Sequence, residues 1–206
     1  MVKYRPNFLG RAKTACPKAA RSVFEMEIII YRHAKPKVSD KEIISGHDFP
    51  QWVQRYDESG ICNNKIVCTN EDIVYTSNLL RSIETGHLIG KRIIENPLIR
   101  EAGIPLIRFP AVRLKAKKWL FVSRLLWILG FKTECESLAD VKIRVIKAVD
   151  SFESQLSGNE RVVIVGHGFT NWLIKRELLY RGWFLKQKTS NNSFLSKMTF
   201  ETKPVA

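Results

Sequence analysis

Acidic side chains are scarce in this chain: 20 Asp and Glu stand against 34 Lys and Arg, a formal net charge of +14. That deficit favours anionic partners, whether phosphate compounds, nucleic acid or an anionic membrane face, without choosing among them. Cysteine is scarce too. Cys16, Cys62, Cys68 and Cys135 form no CxxC pair, which argues against a disulfide framework and fits reduced thiols in a cytosolic setting. Cys62 and Cys68 taken with a histidine also lack zinc-ligand spacing. No apolar h-region follows the basic start, so the sequence reads as lacking a signal peptide. No apolar run reaches the ~20 residues that span a bilayer, and no internal repeat is visible.

What is present is an ordinary globular balance, 45% hydrophobic and 26% charged over 206 residues. That length suits one domain with a substantial core. Residues 1–25 stand apart. They carry Lys3, Arg5, Arg11, Lys13, Lys18 and Arg21 against Glu25, a local net charge of +5, with Pro6, Gly10 and Pro17 and no steady period. A disordered or loosely docked basic extension is expected there, with a nucleic-acid or membrane tether as the sharper reading. A third reading starts translation at Met26, immediately before the first strand. Residues 26–206 then form the globular domain.

From Glu27 the pattern alternates strand and helix. "EIIIY", "DIVYT" (72–76) and "RVVIV" (161–165) are short apolar runs of the buried, parallel kind. "HDFPQWVQRYDESG" reads as a short helix closed by Gly60. Ser77 is placed to cap a helix along which Leu79, Ile83, Gly86 and Gly90 make a narrow packing stripe. "PLIREAGIP" reads as a strand or edge segment. "ESLADVKIRVIKAVDSFESQL" and "FTNWLIKRELLYRG" read as helices, and "SFLSKMTFE" as a closing strand. This alternation implies a three-layer α/β/α domain with a mainly parallel central sheet.

The three apolar strands each run into reactive groups. Arg32 and His33 follow the first, Ser77 and then Arg81 the second, and His167, between glycines, the third. Parallel strands share one carboxyl edge, where such folds hold ligands. Two guanidiniums, two imidazoles and nearby helix N-termini, including the N–H groups after Gly166, suit a dianion such as phosphate. Cationic neighbours favour neutral imidazole, the nucleophilic form. Pro36 is expected to end the first strand's pairing and fix the turn that holds His33.

The ordered motifs "YRHAKP", "VYTSNLLRSIETG", "REAG" and "VVIVGHG", with "NNSF" near the end, resemble the histidine phosphatase superfamily, also called the phosphoglycerate mutase-like family. The resemblance spans roughly residues 27–200. It implies a phosphoglycerate mutase-like fold and a phosphatase acting on phosphomonoesters through a phosphohistidine on His33. Arg32, Arg81 and His167 would hold phosphate oxygens. Glu101 would protonate the leaving oxygen and then serve as base for water. No metal or organic cofactor is implied. The substrate would be a phosphorylated small molecule, with a phosphoprotein as an option. Two positions depart from the family pattern: Ala34 replaces the usual glycine, and Ser39 stands where many members have a phosphate-touching asparagine.

Other readings stand beside this one. A phosphoglycerate mutase-type phosphotransferase shares the fold. A catalytically inactive basic module binding membrane or RNA would use residues 1–25 and 115–131, although nothing in the sequence points strongly to nucleic acid. Read singly, His33 could be a core or capping residue, Arg81 an exposed helix residue, His167 a turn residue and Glu101 a solvated loop carboxylate. His47 and His87 read as surface or helix-packing residues. "KAKKWLFVSRLLWILGF" (115–131) is apolar on nearly every side, so it must be covered. It reads as a packed cap, a lid over an apolar substrate pocket, or a peripheral membrane contact. Oligomeric state has no signature here.

Overall fold

A computed structural model describes residues 26–62, 71–131, 135–156, 160–189 and 193–202. The basic extension over 1–25 lies outside the described residues, as do Cys16 and Cys68. Strand β1 (Glu27–Arg32) is buried from Ile28 through Tyr31. An unbroken apolar run of this kind needs cover on both sheet faces. Ile28 and Ile30 lie with Val162 and Ile164 in one apolar cluster, while Ile29 and Tyr31 lie with Val163 and Val165 in another. Alternation along the strands thus feeds two cores.

Strands β3 (Glu71–Thr76) and β6 (Arg161–Gly166) flank that pattern. β6 pairs in parallel with both β1 and β3. β4 (Gly90–Glu95) extends the parallel side beyond β3. β8 (Lys197–Glu201) pairs antiparallel with β1, and β7 (Phe184–Lys188) pairs antiparallel with β8. The sheet order is β4-β3-β6-β1-β8-β7. Helices α4 (Leu138–Leu156) and α5 (Gly168–Tyr180) bury Val145, Val149, Phe152, Ile174 and Leu178 against one face. Helix α2 (Leu80–Ile89) contributes Ile89 to the other. This is the expected mainly parallel α/β/α arrangement.

A third cluster sits outside the sheet. Helix α1 (Phe49–Glu58) brings Phe49 and Trp52 against Ala116 and Trp119 of helix α3 (Ala116–Ile128). A small ladder of β2 (Ile43–Ser45) and β5 (Arg113–Lys115) joins the loops that carry them. Trp127, at the other end of α3, reaches the main core. The 115–131 segment is therefore a packed cap along one side.

Several local expectations are corrected. "PLIREAGIP" is no strand: Pro97–Ile99 form a single 3₁₀ turn, capped by the Asn96 side chain, and the rest is irregular. The strand lies just before it, in β4, whose Lys91, Arg92 and Glu95 are exposed at the sheet edge and hide its pattern. α2 stops at Ile89 because Gly90 already belongs to β4; a Cβ there would collide with Val74 and with the Glu71 carbonyl. Ser77 does not occupy the N-cap position of α2, which is Leu79. α1 is followed by Ser59 as its C-cap rather than by Gly60. Pro36 does not end β1, which stops at Arg32; it makes an isolated bridge to Ile61 instead. "SFLSKMTFE" becomes strand only from Lys197, and β7 was hidden by its exposed, lysine-bearing sequence.

Candidate active site

The parallel register of β1, β3 and β6 sets their last residues side by side. Arg32, His33, Arg81 and Glu101 line one cavity of about 740 Å³ at that edge. His167 is fully buried and does not belong to the lining, yet its ring centroid is 5.1 Å from that of His33, with the planes tilted by 52°. The predicted constellation therefore converges. His47 and His87 are exposed and away from the lining. Ser39 is exposed as well; its hydroxyl accepts from the Lys41 amide in a turn, so it does not take the asparagine's place at the cavity.

His33 is held by its backbone and its ring. Its amide donates to the Gly166 carbonyl at 3.0 Å, one step beyond the β1–β6 ladder. Its Nδ1 lies 2.7 Å from the Ala34 carbonyl oxygen. A carbonyl only accepts, so Nδ1 carries the proton and Nε2 of the neutral ring keeps its lone pair. The following loop is tied down by Thr85, whose hydroxyl accepts from the Ala34 amide at 2.9 Å and donates to the Arg81 carbonyl at 2.6 Å. The Phe194 ring lies 5.6 Å from the His33 ring and 4.8 Å beneath the Arg32 guanidinium carbon. Phe194 is presented by a turn in which Leu195 has φ 61, a left-handed conformation for a branched residue that costs on the order of 1–2 kcal/mol.

Arg81 is almost wholly buried. Its Nη1 donates to the Tyr56 carbonyl and to Asp57 Oδ1, each at 3.1 Å, and its guanidinium lies 4.8 Å over the Tyr56 ring. Tyr56 in turn stacks on Trp52 at 5.0 Å. The apolar face of α1 thus serves as the mount for one guanidinium. Arg81 Nε has no partner among the described residues.

Burial holds both imidazoles well below the usual histidine range. For His33 the proximity of His167 and then Arg81 adds to it, against the bond to Ala34; for His167, Arg81 and Arg32 add to it. His167 Nε2 is 2.6 Å from Ser77 Oγ, which also accepts from the Leu79 amide. A serine hydroxyl can donate to a bare Nε2 or accept from a protonated one, so this contact fits either tautomer of the neutral ring. His167 Nδ1 is buried without a partner among the described residues.

These shifts carry a stability consequence. An unfolded histidine binds a proton below about pH 6.5, whereas these folded ones resist it to lower pH. The unfolded state therefore holds more protons in that window, and stability falls as pH falls, by up to about 1.4 kcal/mol per unit and histidine. The urea midpoint should drop between about pH 7.5 and about pH 5.5, above the range where carboxylates titrate. A flat midpoint across that span would show that the imidazoles titrate normally.

Glu101 sits on irregular backbone that is nonetheless fixed at many points. Arg144 donates to the Leu98 and Arg100 carbonyls at 2.6 and 2.9 Å. Arg124 donates to the Ala102 and Gly103 carbonyls at 2.9 and 3.1 Å. The Glu101 carboxylate crosses to the N-terminus of α5. Its Oε1 accepts from the Ala102 and Thr170 amides, each at 3.1 Å, and among the described residues its Oε2 accepts from the Phe169 amide alone, at 3.2 Å. The Thr170 hydroxyl, 3.1 Å from Oε1, has a shorter acceptor in the Arg100 carbonyl at 2.9 Å. Of the N–H groups after Gly166 expected to meet phosphate, those of residues 169 and 170 are occupied by this carboxylate. Sequence reading also missed Tyr56, Asp57 and Thr85 as supports, and Arg124 and Arg144 as anchors. Thr85 lay within the quoted "RSIETG"; the others have no local signal.

Among the described residues no group of three or more His, Cys, Asp or Glu side chains is placed to hold a metal ion. The sequence model of the histidine phosphatase superfamily (branch 1) matches residues 28–203. No curated protein matches the chain. Solved structures share the fold at low identity. A phosphoglycerate mutase from Bacillus anthracis str. Sterne superposes with a TM-score of 0.53 at 15% identity, covering 88% of this chain and 92% of the other. A phosphoserine phosphatase from Entamoeba histolytica, solved with 3-phosphoglyceric acid, gives a TM-score of 0.53 at 18% identity, covering 84% and 89%.

Proposed function

The chain belongs to the histidine phosphatase superfamily, and from that premise we propose that it is a phosphomonoesterase with His33 as nucleophile. The observation that carries this reading is the His33 ring, neutral and with Nδ1 committed to the Ala34 carbonyl, on the wall of a cavity lined by Arg32 and Arg81.

In the proposed reaction the Nε2 lone pair attacks phosphorus and the bond to the ester oxygen breaks. Glu101, protonated at that stage, hands its proton to the leaving oxygen. Water then attacks the phosphohistidine and gives a proton to the Glu101 carboxylate. The P–N bond breaks, inorganic phosphate leaves, and both residues return to their starting forms. Charge on the equatorial oxygens is met by Arg32 and Arg81 on the cavity wall, and His167, whose buried ring lies 5.1 Å from that of His33, backs them. Of the Glu101 oxygens, Oε2 is the better proton carrier, because it gives up one amide contact where Oε1 would give up two. The neutral nucleophile places the acid limb of kcat/KM below pH 6.5.

The cavity also constrains the substrate. Its volume of about 740 Å³ lies within the ~300–1,000 Å³ typical of small-molecule sites. Val53, Leu79, Ile104, Leu120, Phe169 and Trp172 give it apolar walls. The esterified alcohol is therefore substantial and partly apolar. A panel of phosphomonoesters tests the reading. One inorganic phosphate should appear per ester consumed, most efficiently from esters of bulky alcohols. Movement of phosphate to another hydroxyl of the substrate would identify a mutase, and no release from any ester would refute the proposal.

A further inference from the structure

Helix α3 is apolar on the wrong side as well as the right one. Ala116, Trp119, Ser123 and Trp127 face inward and are buried. On the opposite sector, Phe121, Leu125, Ile128 and Leu129 are 69%, 46%, 47% and 72% exposed, and Phe131 just beyond is 63% exposed. These helical positions fall at i, i+4, i+7 and i+8, a single continuous stripe. Lys117 and Lys118, both exposed, lie on the same sector at its N-terminal end. Residues 102–133 contain no Asp or Glu at all, against seven Lys and Arg. A contiguous apolar surface of this kind marks a contact site in a soluble domain.

We propose that this face of α3 docks on the surface of an anionic phospholipid bilayer. The charge pattern selects this occupant. A second copy of the chain would set the same lysine-flanked stripe against itself, with no carboxylate of α3 to neutralise it; Asp40 and Glu42 meet the helix only at its first turn, and Glu42 is engaged by Arg55. An anionic bilayer supplies phosphate groups to the lysines and acyl chains to the apolar stripe at once. The helix lies on the surface rather than crossing it: its 13 residues reach ~20 Å against a hydrocarbon core of ~30 Å. Among the described residues no helix is long and apolar enough to cross a membrane. Leu120 and Arg124, on the flank of the same helix, line the cavity, so a docked bilayer lies about one helix diameter, ~10 Å, from the site.

The full-length protein should co-float with vesicles of phosphatidylglycerol and phosphatidylcholine. Binding should fall at least tenfold on vesicles of phosphatidylcholine alone, and should weaken as salt is raised. The double variant Phe121→Glu/Leu125→Glu should lose binding at least tenfold while hydrolysing a small soluble aryl phosphate as the wild type does, since neither residue lines the cavity. That control separates failure of docking from failure of the phosphatase reading. Vesicle binding that survives the double substitution would overturn the proposal by moving the contact elsewhere, the basic extension included. No vesicle binding, together with a dimer in sedimentation velocity that the double variant dissociates, would overturn it in favour of self-association.

Discussion

Replacing His33 by alanine should reduce phosphomonoester hydrolysis by at least ~10³-fold, the scale expected when a covalent nucleophile is removed. Alanine deletes the whole ring, including the Nδ1 bond to Ala34, so loss of activity alone could reflect a disturbed loop. His33→Asn keeps a side-chain N–H that can reach that carbonyl but has no nucleophilic nitrogen, and it should be equally inactive. Both variants should retain the wild-type far-UV circular dichroism, because the Ala34 amide is still held by Thr85 and the residue 33 amide by Gly166. Rapid quenching of the wild type during turnover should trap a phosphoryl label that survives base and is lost in acid, as a P–N bond requires. The variants should trap none. Substantial turnover by His33→Asn would show that phosphate passes directly to water, leaving the imidazole an electrostatic role.

Where the sequence was legible, physical constraint was local. Ile28–Tyr31, Val74 and Val162–Val165 are buried on both sheet faces, so composition alone marked their strands and thereby the edge carrying Arg32, His33, Arg81 and His167. The edge strands β4 and β7 obey no such constraint. Each has one side open to water, and Lys91, Arg92, Lys186 and Lys188 interrupt any pattern. The supports of the site were hidden for a different reason. Arg81 is held by Tyr56 and Asp57 from an earlier helix, and the Glu101 segment by Arg124 and Arg144 from two later ones. Contacts across such separations leave no spacing to read. The apolar segment 115–131 was legible as something needing cover, but how much of it is covered depended on where Phe49 and Trp52 lie.

Glu101→Gln should lower kcat/KM by ~10²–10⁴-fold for alkyl phosphates and by less than about tenfold for a nitrophenyl phosphate. An alkoxide cannot leave without a proton, whereas a nitrophenolate can, so only the first class depends on the acid. This split tests a real competitor, because the same carboxylate also closes the N-terminus of α5 through the amides of Phe169 and Thr170. Glutamine can keep its oxygen toward Thr170 and Ala102, but its NH₂ group then faces the Phe169 amide donor to donor. Leaving that amide unpaired costs ~1–3 kcal/mol, so the variant should also unfold at lower urea. If Glu101 were only a helix cap, slackening α5 would disturb the position of His167, the N-cap of that helix, and would slow every substrate alike. Equal losses for alkyl and nitrophenyl esters would therefore reassign Glu101 to positioning. Unequal losses would identify Glu101 as the group that protonates the leaving oxygen.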